Sequence, residues 1–136
     1  MTKVRRGQTF TSAGAALLLV ASAASARAGC NLDRINMGTG TTSYHTNMRV
    51  EKNSSCGTHI SDGSAGAARN YRISIRAQHG LAAVENMISE SGFAYKPVPG
   101  YVGQDHFQIS YEIIAFASQT RVRATMDIEV EVVDKM

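Results

Sequence analysis

Asp105 is the residue whose type and position most clearly allow a chemical role. It stands in the motif Gly103-x-Asp105-x-Phe107, directly after a loop rich in proline and glycine. A carboxylate there can serve a calcium site, but Ca²⁺ takes six to eight oxygen ligands, and no second acid lies between Gly100 and Gln108. A carboxylate at the start of a strand also accepts hydrogen bonds from backbone amides and fixes the turn. The local sequence favours this structural role, with calcium binding as the alternative.

The other residues able to bind metals or catalyse reactions are scattered. The chain has four histidines, with no pair at ligand spacing on one strand: His45, His59, His79 and His106. A zinc or copper site would have to be assembled in three dimensions, for example from His45, His59 and Asp62, and no spacing supports it. Neither a Gly-x-Ser-x-Gly motif nor a phosphate-binding glycine loop is present. We therefore expect no enzymatic activity and no cofactor.

Charged residues recur at every second position on several predicted strands. Arg72 and Arg76 share one face of a strand, and Glu129 and Glu131 share one face of another. The simpler interpretation is a solvated outer face. The alternative is that Arg72, Arg76 and Arg123 form a basic stripe that binds an acidic protein or a polysaccharide of the cell envelope.

The two cysteines, Cys30 and Cys56, are the only ones in the chain. An isolated pair in an oxidising compartment is most simply a disulfide. Closing a loop of this size would stabilise the fold by roughly 3 kcal/mol on the chain-entropy model. The alternative, two reactive thiols, lacks the Cys-x-x-Cys spacing.

The first 28 residues have the pattern of a secretory signal peptide. Basic residues precede the apolar run Ala13–Ala24, which is too short to span a membrane, and Ala26-Arg27-Ala28 offers the small residues that signal peptidase reads. We expect cleavage before Gly29 and a periplasmic or secreted mature chain. The alternatives are a lipoprotein signal at Cys30 and a twin-arginine signal, and the flanking residues match both poorly.

Removing this segment changes the charge of the protein. Of the 14 Lys and Arg residues, four lie in the signal, which leaves 10 against 11 Asp and Glu, a net charge of −1. Bulk positive charge therefore does not support nucleic-acid binding. Nor does the mature chain contain a membrane span. Its 108 residues (136 minus 28) suit one domain, 29–136.

Alternation of apolar and polar residues predicts strands and no sustained helix. The predicted strands are 46–51, 71–77, 81–85, 93–96, 106–113 and 122–132. Residues 53–68 predict a long surface loop, or a loop that contains a short edge strand at 58–60. We therefore divide the domain into an N-terminal extension, 29–68, with the loop and the disulfide, and a core, 69–136.

Four short motifs in this core resemble a known family. They are His79-Gly80, Phe93-x-Tyr95-x-Pro97, Pro99-Gly100-Tyr101 and Gly103-x-Asp105-x-Phe107. Together with the alternating last strand, they resemble bacterial immunoglobulin-like domains of the cadherin-like kind over residues 70–133. The resemblance implies an all-β fold, an immunoglobulin-like two-sheet antiparallel sandwich. The motif residues expected to fix this fold are Phe93, Tyr95, Pro97, Gly100, Gly103, Asp105 and Phe107.

A sandwich of this kind hosts many roles, so the resemblance says little about function. We expect a non-enzymatic exported binding module that recognises its partner through loops or through an exposed sheet edge. The alternative is a subunit of an extracellular assembly that self-associates by strand addition. A small metal-binding or enzymatic protein has the least support.

Overall fold

The computed structural model describes residues 29–35, 41–61, 66–86 and 90–136. The predicted signal peptide, residues 1–28, and Asp62 of the hypothetical metal site lie outside them. Eight strands follow one another: β1 (Cys30–Leu32), β2 (Ser43–Glu51), β3 (Cys56–Ser61), β4 (Gly66–Ile75), β5 (Gly80–Asn86), β6 (Glu90–Pro97), β7 (Gly103–Ala115) and β8 (Arg121–Val133). The described residues contain no helix, and so none that is long and apolar enough to cross a membrane.

The strands form two sheets. The larger has five strands in the order β1-β2-β8-β7-β4, and the smaller has three in the order β3-β6-β5. The predicted all-β, two-sheet architecture is confirmed. The expectation of purely antiparallel pairing is wrong at one place, because β2 runs parallel to β8 over nine residue pairs. Parallel neighbours need a long crossover, and here the chain from β3 to β7 supplies it.

The core lies between the sheets and follows the period-2 pattern of the two longest strands. Along β7, Phe107, Ile109 and Tyr111 are at most 1% exposed. The even-numbered side chains of β8 from Ala124 to Val132 are buried in the same way. Phe93 and Tyr95 of β6 meet them from the smaller sheet, and the Tyr95 ring stacks on Phe107 with centroids 5.8 Å apart. These aromatic contacts join the two layers.

Two apolar residues of the strands predicted at 71–77 and 122–132 lie outside this core. Val122 is 40% exposed, and Ile75 is 46% exposed. Val122 occupies the inward side of the alternation, but it stands near the start of β8, where the other sheet no longer covers it. Ile75 follows the register shift after Ile73, which aligns it with Gln108, an outward position of β7. Alternation predicts which way a side chain points only where the pairing is regular, and burial also depends on how far the facing sheet extends.

The predicted N-terminal extension, 29–68, is an integral part of both sheets. β2 pairs with the central strand β8 along its whole length. Within residues 53–68, the alternative of a loop that contains a short edge strand at 58–60 is confirmed by β3, whereas the start of β4 at Gly66 replaces the end of the predicted loop. β3 is six residues long and its inward positions are Cys56, Thr58 and Ile60. Such a short strand with one strong hydrophobe gives little periodic signal.

The predicted disulfide between Cys30 and Cys56 is confirmed, with Cα atoms 5.1 Å apart. It joins β1 of the larger sheet to β3 of the smaller one. Cys56 is fully buried. The bond therefore links the two layers covalently, in addition to tethering the N-terminal strand.

Candidate functional site

The corner between β6 and β7 contains the residues that the sequence motifs single out. Pro97 ends β6, and Gly100 makes the following turn with φ +79°. The Gly100 amide donates to Asn53 Oδ1 at 2.9 Å. The Tyr101 ring stacks on His79 with centroids 4.3 Å apart, and its hydroxyl donates to the Gln104 carbonyl at 2.6 Å. The corner is therefore packed against the residues that lead into β5.

Asp105 lies at the centre of this corner and is 6% exposed. Its Oδ1 accepts hydrogen bonds from the backbone amides of Gln78 and His106, each at 2.9 Å. Its Oδ2 accepts from the His79 amide and the Tyr95 hydroxyl, also at 2.9 Å. One carboxylate thus connects the end of the β4–β5 loop, the core of β6 and the start of β7.

These contacts determine the protonation of both side chains. Burial alone raises the pKa of Asp105, but the amide bonds and the Tyr95 hydroxyl outweigh it, so the pKa lies below its ordinary value. Burial, followed by the bond to Asp105, raises the pKa of Tyr95. The Tyr95 phenol therefore stays protonated, and its hydroxyl donates a hydrogen bond to the charged carboxylate of Asp105. Such a charge-assisted hydrogen bond is stabilising.

The same contacts bear on the calcium alternative. Each oxygen of Asp105 already accepts two hydrogen bonds. The described residues also contain no group of three or more His, Cys, Asp or Glu side chains placed to hold a metal ion. His45 and His59 lie on the outer faces of different sheets, so the hypothetical site built on them is not brought together.

Gly80 is needed where β5 begins beside this corner. A Cβ atom built on it would lie 2.4 Å from the Tyr95 ring. A larger residue would displace the ring whose hydroxyl holds Asp105. The His79-Gly80 motif thus serves the packing of the corner.

The three arginines proposed for a basic stripe are only partly brought together. Arg72 and Arg123 are exposed on the outer face of the larger sheet, on either side of β7. Arg72 is aligned with Ser110 and Arg123 with Glu112, the next outward position of β7. Arg76 lies beyond the end of β4, towards the opposite end of the sheet.

The opposite end of that face is acidic. Asp127 Oδ1 contacts His106 Nε2 at 3.2 Å and accepts from Gln108 Nε2 at 2.9 Å. Glu131 pairs with Arg49 at 3.1 Å, and both are about half exposed. A depression of about 370 Å³ opens there, with Asp33, Asn47 and Glu129 among its other lining residues. A solvated ion pair such as Arg49–Glu131 contributes little to stability.

Two of the four strands at the sheet edges are short or irregular, and a third is capped in part by a side chain. β1 has three residues. The register of β4 shifts twice, after Arg69 and after Ile73, and the Asn86 side-chain amide bonds both the N–H and the C=O of Tyr71. On β3 the Thr58 hydroxyl donates to the neighbouring carbonyl at 3.2 Å. Bulges, short strands and side-chain caps are the devices that protect sheet edges from unwanted pairing.

β5 is a regularly paired edge strand of the smaller sheet, and its pairing shows which of its backbone groups do not bond to β6. Hydrogen-bonded pairs alternate with non-bonded pairs in an antiparallel ladder. The Val98 amide donates to the His79 carbonyl at 2.9 Å, and this pair continues the register that aligns Gly80 with Pro97. The odd-numbered residues of β5 therefore bond to β6. The N–H and C=O groups of Gly80, Ala82 and Val84 lie in the plane of the sheet and point away from β6.

The composition of β5 leaves this edge accessible. Its sequence is GLAAVEN, without proline or lysine, and its seven pairs with β6 show no register shift. Leu81 is 71% exposed, the most exposed large hydrophobic side chain in the described part of the chain. The sequence pattern predicts the strand, but only the sheet order shows that no described strand pairs with its other side, where β4 contacts it at the Asn86 end.

The comparisons with known proteins leave the family open. No family model matches the chain, and no curated protein matches it. Among solved structures, a chain of the complex of PbICP-C with falcipain-2 is 10% identical, with a TM-score of 0.42 over 74% of this chain and 96% of that one. An endo-fucoidan hydrolase of glycoside hydrolase family 107 is 10% identical, with a TM-score of 0.41 over 73% of this chain and 15% of that one. Similarity at this level carries no argument about function.

Proposed function

We propose that this protein is a non-enzymatic, exported binding module with an immunoglobulin-like sandwich fold. The fold assignment is supported by the two-sheet strand order, by the parallel β2–β8 pair and by the aromatic corner around Asp105. Export is supported by the disulfide, which suits an oxidising compartment. The module binds its partner by taking up an extended partner segment as a fourth strand beside β5.

The free side of β5 is the observation that carries this proposal. Gly80, Ala82 and Val84 each present one N–H and one C=O, so three residues with two groups offer six hydrogen bonds. At about 0.5–1.5 kcal/mol net for each bond, the backbone supplies the affinity, while neighbouring side chains supply selectivity. Leu81 and Ala83 are exposed on the outer face of the sheet and are available to such selective contacts.

Site-specific photo-crosslinking in the producing cells tests the proposal and identifies the partner in the same experiment. A photoreactive residue at Ala83 is expected to capture a partner, whereas the same residue at Ser74, on the irregular β4 edge, is expected to capture none. Capture at both positions with equal yield, or at neither, would contradict binding at the β5 edge.

A proline pair then tests whether the captured contact is strand addition. Ala82→Pro removes an amide that points outward and should abolish capture while leaving the domain folded. Ala83→Pro removes an amide that bonds β6, and should destabilise the domain by about 1–3 kcal/mol, because the carbonyl on β6 loses its donor. Undiminished capture by the Ala82→Pro variant would show that the partner binds through side chains instead.

Self-association by strand addition is the second candidate, because β5 is complementary to itself. A two-fold axis at Ala83 would pair Ala82 of one copy with Val84 of the other, so that their outward backbone groups meet. Leu81 then faces Glu85 of the second copy, and no like charges oppose each other. Sedimentation at rising concentration should show a dimer that Ala82→Pro abolishes. A monomer at all concentrations would rule out self-association, and the partner at β5 would then be a different protein.

A further inference from the structure

One end of the outer face of the larger sheet carries most of the arginines of its strands. Arg121 and Arg123 lie on β8 and point outward. Arg69 and Arg72 lie on β4, on the other side of β7. Glu112 of β7 stands between the two pairs, aligned with both Arg123 and Arg69. We call these four arginines the arginine cluster.

Glu112 neutralises only part of this charge. Its Oε2 accepts from Asn70 Nδ2 at 2.7 Å and lies 3.7 Å from Arg121 Nη1. Arg69 has partners of its own, including the Ala68 carbonyl, and is left out of the charge count. The other three arginines against this one carboxylate leave +2 over the neighbouring strands β4, β7 and β8. The guanidinium group of Arg121 makes this contact with its side chain still 66% exposed. The ion pair is therefore weak and can be exchanged for a ligand.

The spacing of the cluster fits a chain of anions better than a single ion. Neighbouring strands lie about 4.8 Å apart, and residues two apart on a strand about 7 Å apart. Arg121 and Arg123 are two apart on β8, and Arg72 lies two strands away, aligned through Ser110 with Thr125. The charges are thus spread over a surface of roughly 10 Å in each direction. The acidic residues Asp127, Glu129 and Glu131 follow on the same face and limit the basic surface to this end.

We propose that the arginine cluster binds a polymer with repeating carboxylate or phosphate groups, such as an acidic polysaccharide of the cell envelope. Guanidinium groups pair with both kinds of oxyanion through two parallel hydrogen bonds. The cluster belongs to the larger sheet and β5 to the smaller one. This second site is therefore independent of strand addition, and one molecule can hold a polymer and a protein partner at once.

Binding of defined polymers to the purified protein tests the proposal. Alginate supplies carboxylates, inorganic polyphosphate supplies phosphates, and dextran of similar length supplies neither. Fluorescence anisotropy with labelled polymers should show binding to one or both anions and none to dextran. Affinity should fall with salt, with a slope of log K against log salt of about −2 for three arginine contacts. The preferred polymer then distinguishes carboxylate from phosphate, and equal binding of dextran, or no binding to either anion, would overturn the proposal.

Matched variants assign the binding to this surface. Arg72→Gln with Arg123→Gln should weaken binding at least about tenfold, while Arg72→Lys with Arg123→Lys should retain most of the salt-dependent affinity. Lys96→Gln with Lys135→Gln changes net charge equally at other exposed positions and should leave affinity within about twofold. A similar loss in both glutamine variants would mean that overall charge, and not the cluster, attracts the polymer. The Ala82→Pro variant should bind the polymer normally, which separates this result from the fate of the β5 proposal.

Discussion

Replacing Asp105 by asparagine tests the corner with almost no change in shape. The amide keeps one oxygen, which can still accept from the Gln78 and His106 amides, both at 2.9 Å in the protein. Its NH₂ group then faces the His79 amide and the Tyr95 hydroxyl, which now donate to Oδ2. The Tyr95 hydroxyl can rotate and accept a hydrogen bond from this NH₂ group. The His79 amide cannot accept, so it is left facing another donor without a hydrogen-bond acceptor. One such stranded group costs about 1–3 kcal/mol, and more where a charged acceptor is lost, so we expect about 2–4 kcal/mol.

Urea unfolding of the protein at neutral pH, followed by circular dichroism, measures this loss. Asp127→Asn is the matched control, because it removes the same charge from the outer face, where Asp127 contacts His106 and Gln108. That change should cost less than about 1 kcal/mol. Equal effects of the two substitutions, or a loss below about 0.5 kcal/mol for Asp105→Asn, would show that the carboxylate does not hold the corner together.

Other perturbations probe the core and the linkage between the sheets. Phe107→Ala should cost about 3–5 kcal/mol, since the ring is fully buried, whereas Val122→Ala, at a site 40% exposed, should cost less than about 1 kcal/mol; thermal melts that show equal losses would contradict the inward assignment. Replacing Cys30 and Cys56 together by serine should lower stability by about 3 kcal/mol in urea unfolding, and an unchanged midpoint would mean that the disulfide adds nothing to the sheet contacts. The folded-state pKa of Asp105 lies below its ordinary value of 3.8, so its contribution is complete above that pH and is lost as pH falls through the lower folded value. Acid titrations should therefore show a stability loss below about pH 4 that Asp105→Asn lacks, and identical acid profiles would refute this.

The sequence predicts the second half of the fold well because its strands are long and strictly alternating. The buried set on β7 and β8 can be read directly from residues such as Ile109 and Ile128. The corner is also predictable, since Pro97 and the glycines around it punctuate the chain where it turns. The motif predicts that Asp105 accepts backbone amides, and the structure adds the Tyr95 hydroxyl as a fourth donor.

Other features depend on which strands are neighbours, and no local pattern encodes that. β3 is predicted only as an alternative, at 58–60, because Gly57 and His59 interrupt its weak hydrophobic pattern, although its pairing with β6 is regular. The parallel alignment of β2 with β8 joins residues some eighty positions apart. Likewise, the arginine cluster forms only because β4 and β8, which lie far apart in the sequence, pair with the two sides of β7 around Glu112. The free side of β5 is a property of sheet order alone.

Amide hydrogen exchange along β5 tests the central claim most directly. In dilute, monomeric protein the amides of Ala82 and Val84 should exchange rapidly, while those of Leu81, Ala83 and Glu85, which bond β6, should be protected. In the purified crosslinked or self-associated complex, Ala82 and Val84 should become protected and the odd-numbered residues should stay as they were. Uniform protection of β5 in the monomer, or unchanged exchange at Ala82 and Val84 in the complex, would contradict a free edge that accepts a partner strand.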